Sequence, residues 1–268
     1  MTAGYRGDGG PPPPKGSGGG NYNKNDPMWG FNEKITKKNR EGELKTYDKR
    51  VKTWYVPVSG KDKPITMLDR SEEPRFTCLI HDFIGPDGKK GSMVRCIAKA
   101  NPTDGCPLCD ALGSEGRWFW ALTGVDGSKF IPSSGSNKGN VYTNFRRLVL
   151  ITQTQFNDMK AVEGKDPEGW HGRRFDVSRS DDTKSSKIGT LWFPRTPQKL
   201  TDEELEAEFA EAAESYGISV KQFCSPFDYE TVLKLPTYEE AKKIAAIITG
   251  TEVEGQEVPA GDAGSIEF

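Results

Sequence analysis

The sequence predicts a β-rich α+β fold with unstructured ends, and two observations lead to this expectation. Between residues 50 and 200, short runs of β-branched and aromatic residues alternate with clusters of Gly, Pro, Asp and Ser, a spacing typical of barrels and sandwiches. After residue 200, apolar residues recur at helical spacing instead. An apolar content of 34% and a mean hydropathy of -0.68 indicate that part of the chain stays outside any core.

The first 30 residues form a Gly/Pro-rich arm that we expect to be disordered. They include four consecutive prolines at residues 11–14, and this composition buries too little apolar surface to offset chain entropy. A lysine-rich stretch follows at residues 34–52. We therefore place the start of an ordered core, residues 31–200, directly after the arm.

Seven segments of this core have the composition of strands. They are residues 53–58, 74–84, 92–97, 117–125, 142–151, 173–179 and 188–194. The sequence Gly-Pro-Asp-Gly at residues 85–88 predicts a hairpin turn between the second and third segments, and a polar turn joins the last two. Residues 152–162 are predicted to be helical.

A helical segment, residues 201–250, is expected to pack on this core. Capping-box sequences at residues 201–204 and 237–240 predict two helix starts, and Gly217 and Gly250 predict the corresponding ends. The apolar faces are Leu205, Phe209, Ala212, Ala213 and Tyr216 in the first helix, and Ile244, Ile247 and Ile248 in the second. Residues 251–268 are acidic and aperiodic, which predicts a free tail.

Charge divides the chain into two parts. The net charge is -2, but residues 201–268 carry 16 acidic and four basic side chains, so residues 1–200 are strongly basic. No apolar run approaches the roughly 18 residues that a membrane span requires. Nothing at the N-terminus resembles a secretory signal. We expect a cytoplasmic protein without a membrane partner.

Four residues predict a metal site: His81, Cys96, Cys106 and Cys109. Their spacing is H-x14-C-x9-C-P-L-C, and the final C-x2-C pair is that of a zinc knuckle. One structural Zn²⁺ bound here would define a zinc subdomain at residues 76–112. Two alternatives stay open: Cys78 could replace His81, because strand neighbours three apart face opposite sides, or the thiols could simply be buried.

The sequence argues against catalysis at this site. A zinc ion with four protein ligands has no open position for an activated water. The nucleobase deaminase signature H-x-E…P-C-x-x-C is incomplete, since Phe83 stands where it requires glutamate and Gly105 where it requires proline. No H-E-x-x-H, P-loop or G-x-S-x-G motif occurs. We therefore expect a protein that is not an enzyme.

Basic and aromatic residues are interleaved along the core, a combination that suits single-stranded nucleic acid. Cations follow the phosphates, and flat rings stack on unpaired bases. The candidate contacts are Lys52, Trp54, Tyr55, Arg75, Arg117, Trp118, Trp120, Tyr142, Phe145, Arg146, Arg147, Arg173, Arg174 and Trp192. Many aromatic residues of any protein fill its core, and strand alternation allows only one face of each strand to meet a ligand.

The stretch Ile80-His81-Asp82-Phe83, then Cys96, then the knuckle at residues 105–109, resembles the zinc subdomain of the single-stranded-DNA-binding protein of T-even-like bacteriophages. The aromatic segment 117–125 is also similar. The resemblance implies an OB-fold barrel with an inserted zinc subdomain, and sequence-independent coating of single-stranded DNA in replication, recombination and repair. It places the protein in the infected host cell, at replication sites.

The resemblance also implies partners for the acidic tail, Glu252 to Phe268. These would be replication proteins such as a polymerase, a helicase or recombination factors. Two alternatives from the residues remain open: an RNA-binding protein, because stacking and phosphate contacts serve both nucleic acids, and a protein–protein interaction module held together by zinc.

Overall fold

The computed structural model describes residues 31–38, 44–56, 62–70, 76–84, 90–133, 138–157, 169–179, 189 and 191–251. Several predictions fall outside these residues: the arm at residues 1–30, the turn at residues 85–88, and residues 252–268 of the tail. None of the described helices has the length and apolar character needed to cross a membrane.

In the described part of the chain, nine strands form two antiparallel sheets. They are β1 (Phe31–Lys38), β2 (Leu44–Val51), β3 (Lys63–Met67), β4 (Thr77–Ile84), β5 (Lys90–Arg95), β6 (Arg117–Asp126), β7 (Phe145–Ile151), β8 (Arg173–Ser178) and β9 (Leu191–Lys199). β1 and β2 pair only with each other, and the other seven form one sheet in the order β5-β4-β6-β3-β8-β9, with β7 also paired to β6. β6 is the central strand of this sheet.

β6 is long enough to join two halves of the sheet. Its first residues pair with β4, where Trp118 lies opposite Leu79, and its last residues pair with β3, where Asp126 lies opposite Ile65. Along its other edge β6 pairs with β7 over most of its length. β4 and β5 therefore extend from one end of β6, and β3, β8 and β9 from the other.

Five helices are described in full. They are α1 (Pro107–Leu112), α2 (Asp202–Tyr216), α3 (Val220–Phe223), α4 (Tyr229–Val232) and α5 (Tyr238–Thr249). α2 and α5 begin with the capping boxes that the sequence predicts and end at Gly217 and Gly250, both in the left-handed conformation. Residues 153–157 are also helical, within the helix predicted at residues 152–162.

One face of the sheet encloses a core of large rings, which we call the curled-sheet core. Its buried residues are Trp54, Val56, Ile65, Met67, Leu122, Val149, Ile151, Phe156, Trp170, Phe175 and Val177. Val149 on β7 and Phe175 on β8 share this core although β6 and β3 separate those strands. The sheet must therefore curl around the core.

The opposite face of the sheet is covered by the C-terminal helical segment. Ala121 and Leu148 pack against Phe227, Val232 and Leu233. A second cluster places Leu205 and Phe209 of α2 on Leu68 and Val125.

Polar contacts fix the helical segment to the end of β3. His171 is buried, and its Nδ1 donates to the Leu68 carbonyl at 2.7 Å while its Nε2 lies 2.6 Å from an Asp202 carboxylate oxygen. The carboxylate of Asp69 accepts from the Thr123 backbone N–H and from the Tyr229 hydroxyl. Because buried polar groups need partners, these bonds specify one position for the segment.

The predicted α+β class is confirmed, whereas a closed barrel is not. Among the described residues no pairing joins β9 back to β7, so the seven-stranded sheet is open. The strand predicted at residues 53–58 is wrong over its described part, because residues 53–56 make a single parallel bridge, from Thr53 to Leu148. The sequence patterns did not indicate β3, the hairpin of β1 and β2, or the short helices α1, α3 and α4.

Candidate metal centre

The four predicted ligands come from three adjacent elements. His81 lies on β4, Cys96 follows β5, Cys106 is the N-cap of α1 and Cys109 lies within α1. The hairpin places Cys96 beside β4, where its backbone N–H donates to the Leu79 carbonyl at 2.8 Å. The chain then turns at Gly105, whose φ of 72° lies in the left-handed region that favours glycine. Folding of the hairpin and this turn brings the ligands together.

The ligand atoms are spaced as tetrahedral coordination requires. Nε2 of His81 lies 3.6 Å from both the Cys106 and the Cys109 sulfur, and the Cys96 and Cys109 sulfurs are 3.7 Å apart. All four ligand atoms lie within 4.8 Å of one another. A tetrahedral zinc with ordinary Zn–S and Zn–N bonds places sulfurs about 3.8 Å apart and sulfur and nitrogen about 3.6 Å apart. The cluster can therefore hold one metal ion.

Cys78 is not part of this cluster. Strand alternation on β4 turns it toward the opposite face of the sheet, where it is buried beside Ile80 and Phe227. Burial raises the pKa of the Cys78 thiol to about 11. The set in which Cys78 replaces His81 is therefore wrong. Cys224 is also buried and lies in the cluster under α2.

The three clustered thiols differ in their affinity for protons. Burial acts to raise the pKa of Cys106, but hydrogen bonds from His81 and from the backbone N–H groups of Ile97, Cys109 and Leu108 outweigh it and lower the pKa to about 6. Burial and the neighbouring sulfurs raise the pKa of Cys109 to about 12, and burial also raises that of Cys96. A bound divalent cation would hold all three as thiolates.

Apolar side chains surround the three buried ligands, and Cys109 is partly buried. Cys96 and Cys106 are buried with Ile97, Leu108 and Ile244. Gly116 permits the close approach of β6, because a Cβ there would lie 2.9 Å from the Cys96 Cβ. Three thiolates and one imidazole are a ligand set that suits zinc. The cluster is consistent with a single structural zinc ion.

No family model, curated protein or solved structure matches this chain.

The predicted nucleic-acid contacts fall into groups with different exposure. Lys52, Tyr55, Arg117 and Trp118 are exposed. Partly buried are Trp120, Tyr142, Phe145, Arg147, Arg173, Arg174 and Trp192. Arg75 lies outside the described residues.

Two of the predicted contacts, Trp54 and Arg146, are buried. Trp54 is 2% exposed, and its ring packs on Trp192 in the curled-sheet core. Arg146 is 4% exposed, donates to the Ser225 carbonyl at 2.7 Å and lies 3.9 Å above the Phe227 ring. Neither side chain can meet a ligand at the surface, so both are removed from the candidate contacts.

Several partly buried candidates make internal contacts. Trp120 stacks on Phe156 with 4.0 Å between ring centroids. Arg173 donates to the Gly169 carbonyl at 2.8 Å, and Arg174 lies 3.5 Å from Glu208.

The structure gathers the remaining residues at the two ends of β6. At its C-terminal end, Tyr55, Lys63, Asp126, Phe130, Phe145 and Arg147 form what we call the β6-end cluster. Lys63 lies 5.1 Å from the Tyr55 ring, and Arg147 lies 4.9 Å from the Phe145 ring. Asp126 joins the two cations, at 2.8 Å from Lys63 and 3.9 Å from Arg147. At the N-terminal end of β6, Trp118 is exposed and has Lys99 above its ring.

The sequence analysis missed Lys63 and Phe130. Lys63 opens β3, a strand that the sequence analysis did not predict. Phe130 lies in the connection after β6, where its backbone forms a two-bond bridge with Tyr142. The available signal was an aromatic residue at each end of that connection, Phe130 and Tyr142.

Proposed function

We propose that this protein binds single-stranded DNA without sequence specificity and without catalysis, on a scaffold that a structural zinc holds together. The observation that carries the proposal is the β6-end cluster, where the exposed Tyr55 ring lies beside Lys63 and the exposed Phe130 ring packs against Phe145, which lies beside Arg147. Tyr55 is 60% exposed and Phe130 is 57% exposed. Exposed rings beside cations give unpaired bases a place to stack.

The cations of the cluster lie where phosphates would need them. Lys63 and Arg147 each accompany a ring, and exposed Lys52 lies three residues before Tyr55. A base stacked on Tyr55 or Phe145 would place its phosphate near one of these charges. Stacking and charge together, without an array of donors to read base edges, favour binding that is indifferent to sequence.

The curl of the sheet supports an OB-type interpretation. β7, β6, β3, β8 and β9 all contribute to the curled-sheet core or to the partly buried rings packed against it. A five-stranded, partly open Greek-key barrel with oligonucleotides bound across its strands is the arrangement of OB folds. In this proposal β4, β5 and α1 are the inserted zinc subdomain.

The biological setting is proposed from the sequence resemblance alone. It would be DNA replication, recombination and repair of the bacteriophage type, in the infected cell. The acidic residues 252–268 would recruit replication proteins.

The test is a titration of the full chain with fluorescein-labelled oligo-dT and with the matching duplex, at two salt concentrations. Single strands should bind more tightly than duplex, and the affinity should fall as salt rises because phosphate contacts release counterions. Tyr55→Ala should weaken binding by about five- to 150-fold, from the roughly 1–3 kcal/mol that one stacked base contributes. Phe193→Ala is the control, since Phe193 is 51% exposed and lies outside the cluster.

Three outcomes would contradict the proposal. Absence of single-strand binding at low salt favours the protein–protein module held together by zinc. Tighter binding of oligo-U than of oligo-dU favours an RNA-binding protein, because the two differ only in the 2′-hydroxyl. Equal losses in the Tyr55 and Phe193 variants would mean that the β6-end cluster is not the binding site.

A further inference from the structure

A second ring and cation pair lies at the opposite end of β6, beside the metal centre. The Nζ of Lys99 is 4.2 Å from the centroid of the Trp118 ring. Trp118 is 48% exposed, and Lys99 is exposed as well. Trp118 lies opposite Leu79 of β4, so its position is fixed by the pairing of two central strands. The pair is accessible and does not belong to the β6-end cluster.

The metal ligands determine where Lys99 lies. Lys99 belongs to the turn at residues 97–105, whose two ends adjoin Cys96 and Cys106. Backbone hydrogen bonds of 2.9 Å from Ala100 and Asn101 to the Ile97 carbonyl tighten the turn, and another of 2.9 Å joins Gly105 to Asn101. A metal ion that binds both cysteines therefore fixes both ends of the turn that carries Lys99.

We propose that Lys99 and Trp118 form a second contact for the same nucleic-acid strand, with Lys99 presented by the turn between two metal ligands. This inference rests on the proposed function. Trp118 offers a stacking surface and Lys99 a charge for the adjoining phosphate, which is the chemistry of single-strand binding.

The two contacts are too far apart for one nucleotide to bridge. Trp118 and Asp126 are eight positions apart on β6, roughly 27 Å along an extended strand. A strand that reaches both contacts must therefore span several nucleotides, within the range of about 4–16 nucleotides that OB folds occupy. The metal centre and the turn between Cys96 and Cys106 would then be part of the binding surface as well as a support for it.

The experiment measures the affinity of the zinc-loaded full chain for oligo-dT of about 16 nucleotides, across a salt series. Lys99→Gln should weaken binding about three- to tenfold at low salt and reduce the slope of log affinity against log salt by about one. Lys99→Arg should restore both. Trp118→Ala should lower the affinity while leaving the salt slope nearly unchanged, because it removes stacking and no charge. Lys221→Gln, at an exposed position on α3, is the matched control.

The outcomes separate this inference from the proposed function. If Tyr55→Ala weakens binding while the Lys99 and Trp118 variants match wild type, the second contact does not exist and the proposed function stands. If Lys221→Gln lowers affinity and salt slope as much as Lys99→Gln does, the effect is one of net charge and the inference is wrong. If wild type binds no single strand at low salt, both fail. If the Lys99→Gln variant has a lower melting temperature but binds oligo-dT with wild-type affinity, the pair has a purely structural role. That result also overturns the inference.

Discussion

Two regions of the molecule, the curled-sheet core and the metal module, are held together in different ways. The metal module consists of β4, β5 and α1, with α5 packed on it. The curled-sheet core buries large rings such as Trp54, Trp170 and Phe175. The metal module buries mainly aliphatic side chains instead, such as Ile97, Leu108 and Ile244, around its cysteine residues. Each of these side chains buries less apolar area than a large ring does, so the metal module gains more from an added cross-link.

α1 shows why the metal module depends on that cross-link. It is a six-residue helix, and helices this short are unstable in isolation because nucleation is costly. Cys106 and Cys109, two of the four ligands, lie at its first turn. α5 packs on α1, so the position of the last described helix depends on the metal as well. The two regions should therefore respond differently to the loss of zinc.

Removing the metal is the largest expected perturbation. Structural zinc contributes on the order of 10 kcal/mol to the folding of small metal-bound units. Chelation or Cys106→Ser should therefore unfold α1 and release α5, while the curled-sheet core stays folded. Hydrogen exchange followed by mass spectrometry should show loss of protection at residues 96–112 and 238–249 and retained protection in β3, β7 and β8.

Cys224→Ala is the matched control for the cysteine change. Cys224 is buried in the cluster under α2 and is not a ligand, so this variant should keep one zinc per chain and full protection of α5. If chelation leaves α5 protected, the metal does not support it. If the whole chain unfolds together, the two regions form a single cooperative unit.

Truncation of a core ring should have the next largest effect, in the other region. Phe175 is 2% exposed and packs edge-on against Trp192 with 5.5 Å between centroids. Phe175→Ala should lower the free energy of unfolding by about 3–5 kcal/mol, because it removes buried surface and leaves a cavity. Zinc content should stay at one ion per chain, since no ligand contacts the curled-sheet core.

The neighbouring exposed ring provides the comparison for this loss. Phe193→Ala, on β9, should change the free energy of unfolding by less than about 0.5 kcal/mol in the same urea titration. A loss of zinc in the Phe175→Ala protein would show that the curled-sheet core supports the metal module, contrary to the expectation.

The metal site was predictable from the sequence because its determinants are local. The Cys106 and Cys109 spacing, the Gly105 turn and the alternation that separates Cys78 from His81 are all contained within 32 residues. The surface was less predictable because exposure depends on distant segments. Arg146 and Arg147 alternate on β7, and it is the helical segment around Phe227 that buries Arg146. No local pattern could have identified the covered face.

The curl of the sheet also depends on long-range pairing. β3 has five residues, one of them a proline, and gives little strand signal by itself. Its role follows from its position between β6 and β8, which brings β7 and β8 around one core. The sequence could therefore indicate the α+β class but not the order of the strands.

Zinc affinity should depend strongly on pH. In the metal-free protein at pH 7, Cys96 and Cys109 each bind a proton, because the pKa of Cys96 is raised and that of Cys109 is about 12. Cys106 has a pKa of about 6 and is mostly ionised. Zinc binds all three as thiolates, so binding should release about two protons, and affinity should rise about a hundredfold per pH unit near neutrality. Acidification therefore weakens binding.

Calorimetry in two buffers of different ionisation enthalpy measures the protons released, and competition with a chelator between about pH 6.5 and 7.5 measures the affinity. Release of fewer than about one proton per zinc would mean that the thiols are already ionised before metal binds, contrary to the effect of burial described above.

Two helix caps offer the smallest and most specific comparison. Thr201 caps α2, which covers the sheet, and Thr237 caps α5, which covers the metal module, and both make the same reciprocal bonds with a glutamate three residues later. Each Thr→Ala change should cost about 1 kcal/mol. In zinc-loaded protein, Thr237→Ala should speed hydrogen exchange of α5 amides and leave α2 unchanged, and Thr201→Ala should do the reverse.

After chelation the Thr237 effect should disappear, because an undocked α5 exchanges freely with or without its cap, while the Thr201 effect should persist. Persistence of both would mean that α5 remains folded without the metal, and the two regions would then differ in composition but not in their dependence on zinc.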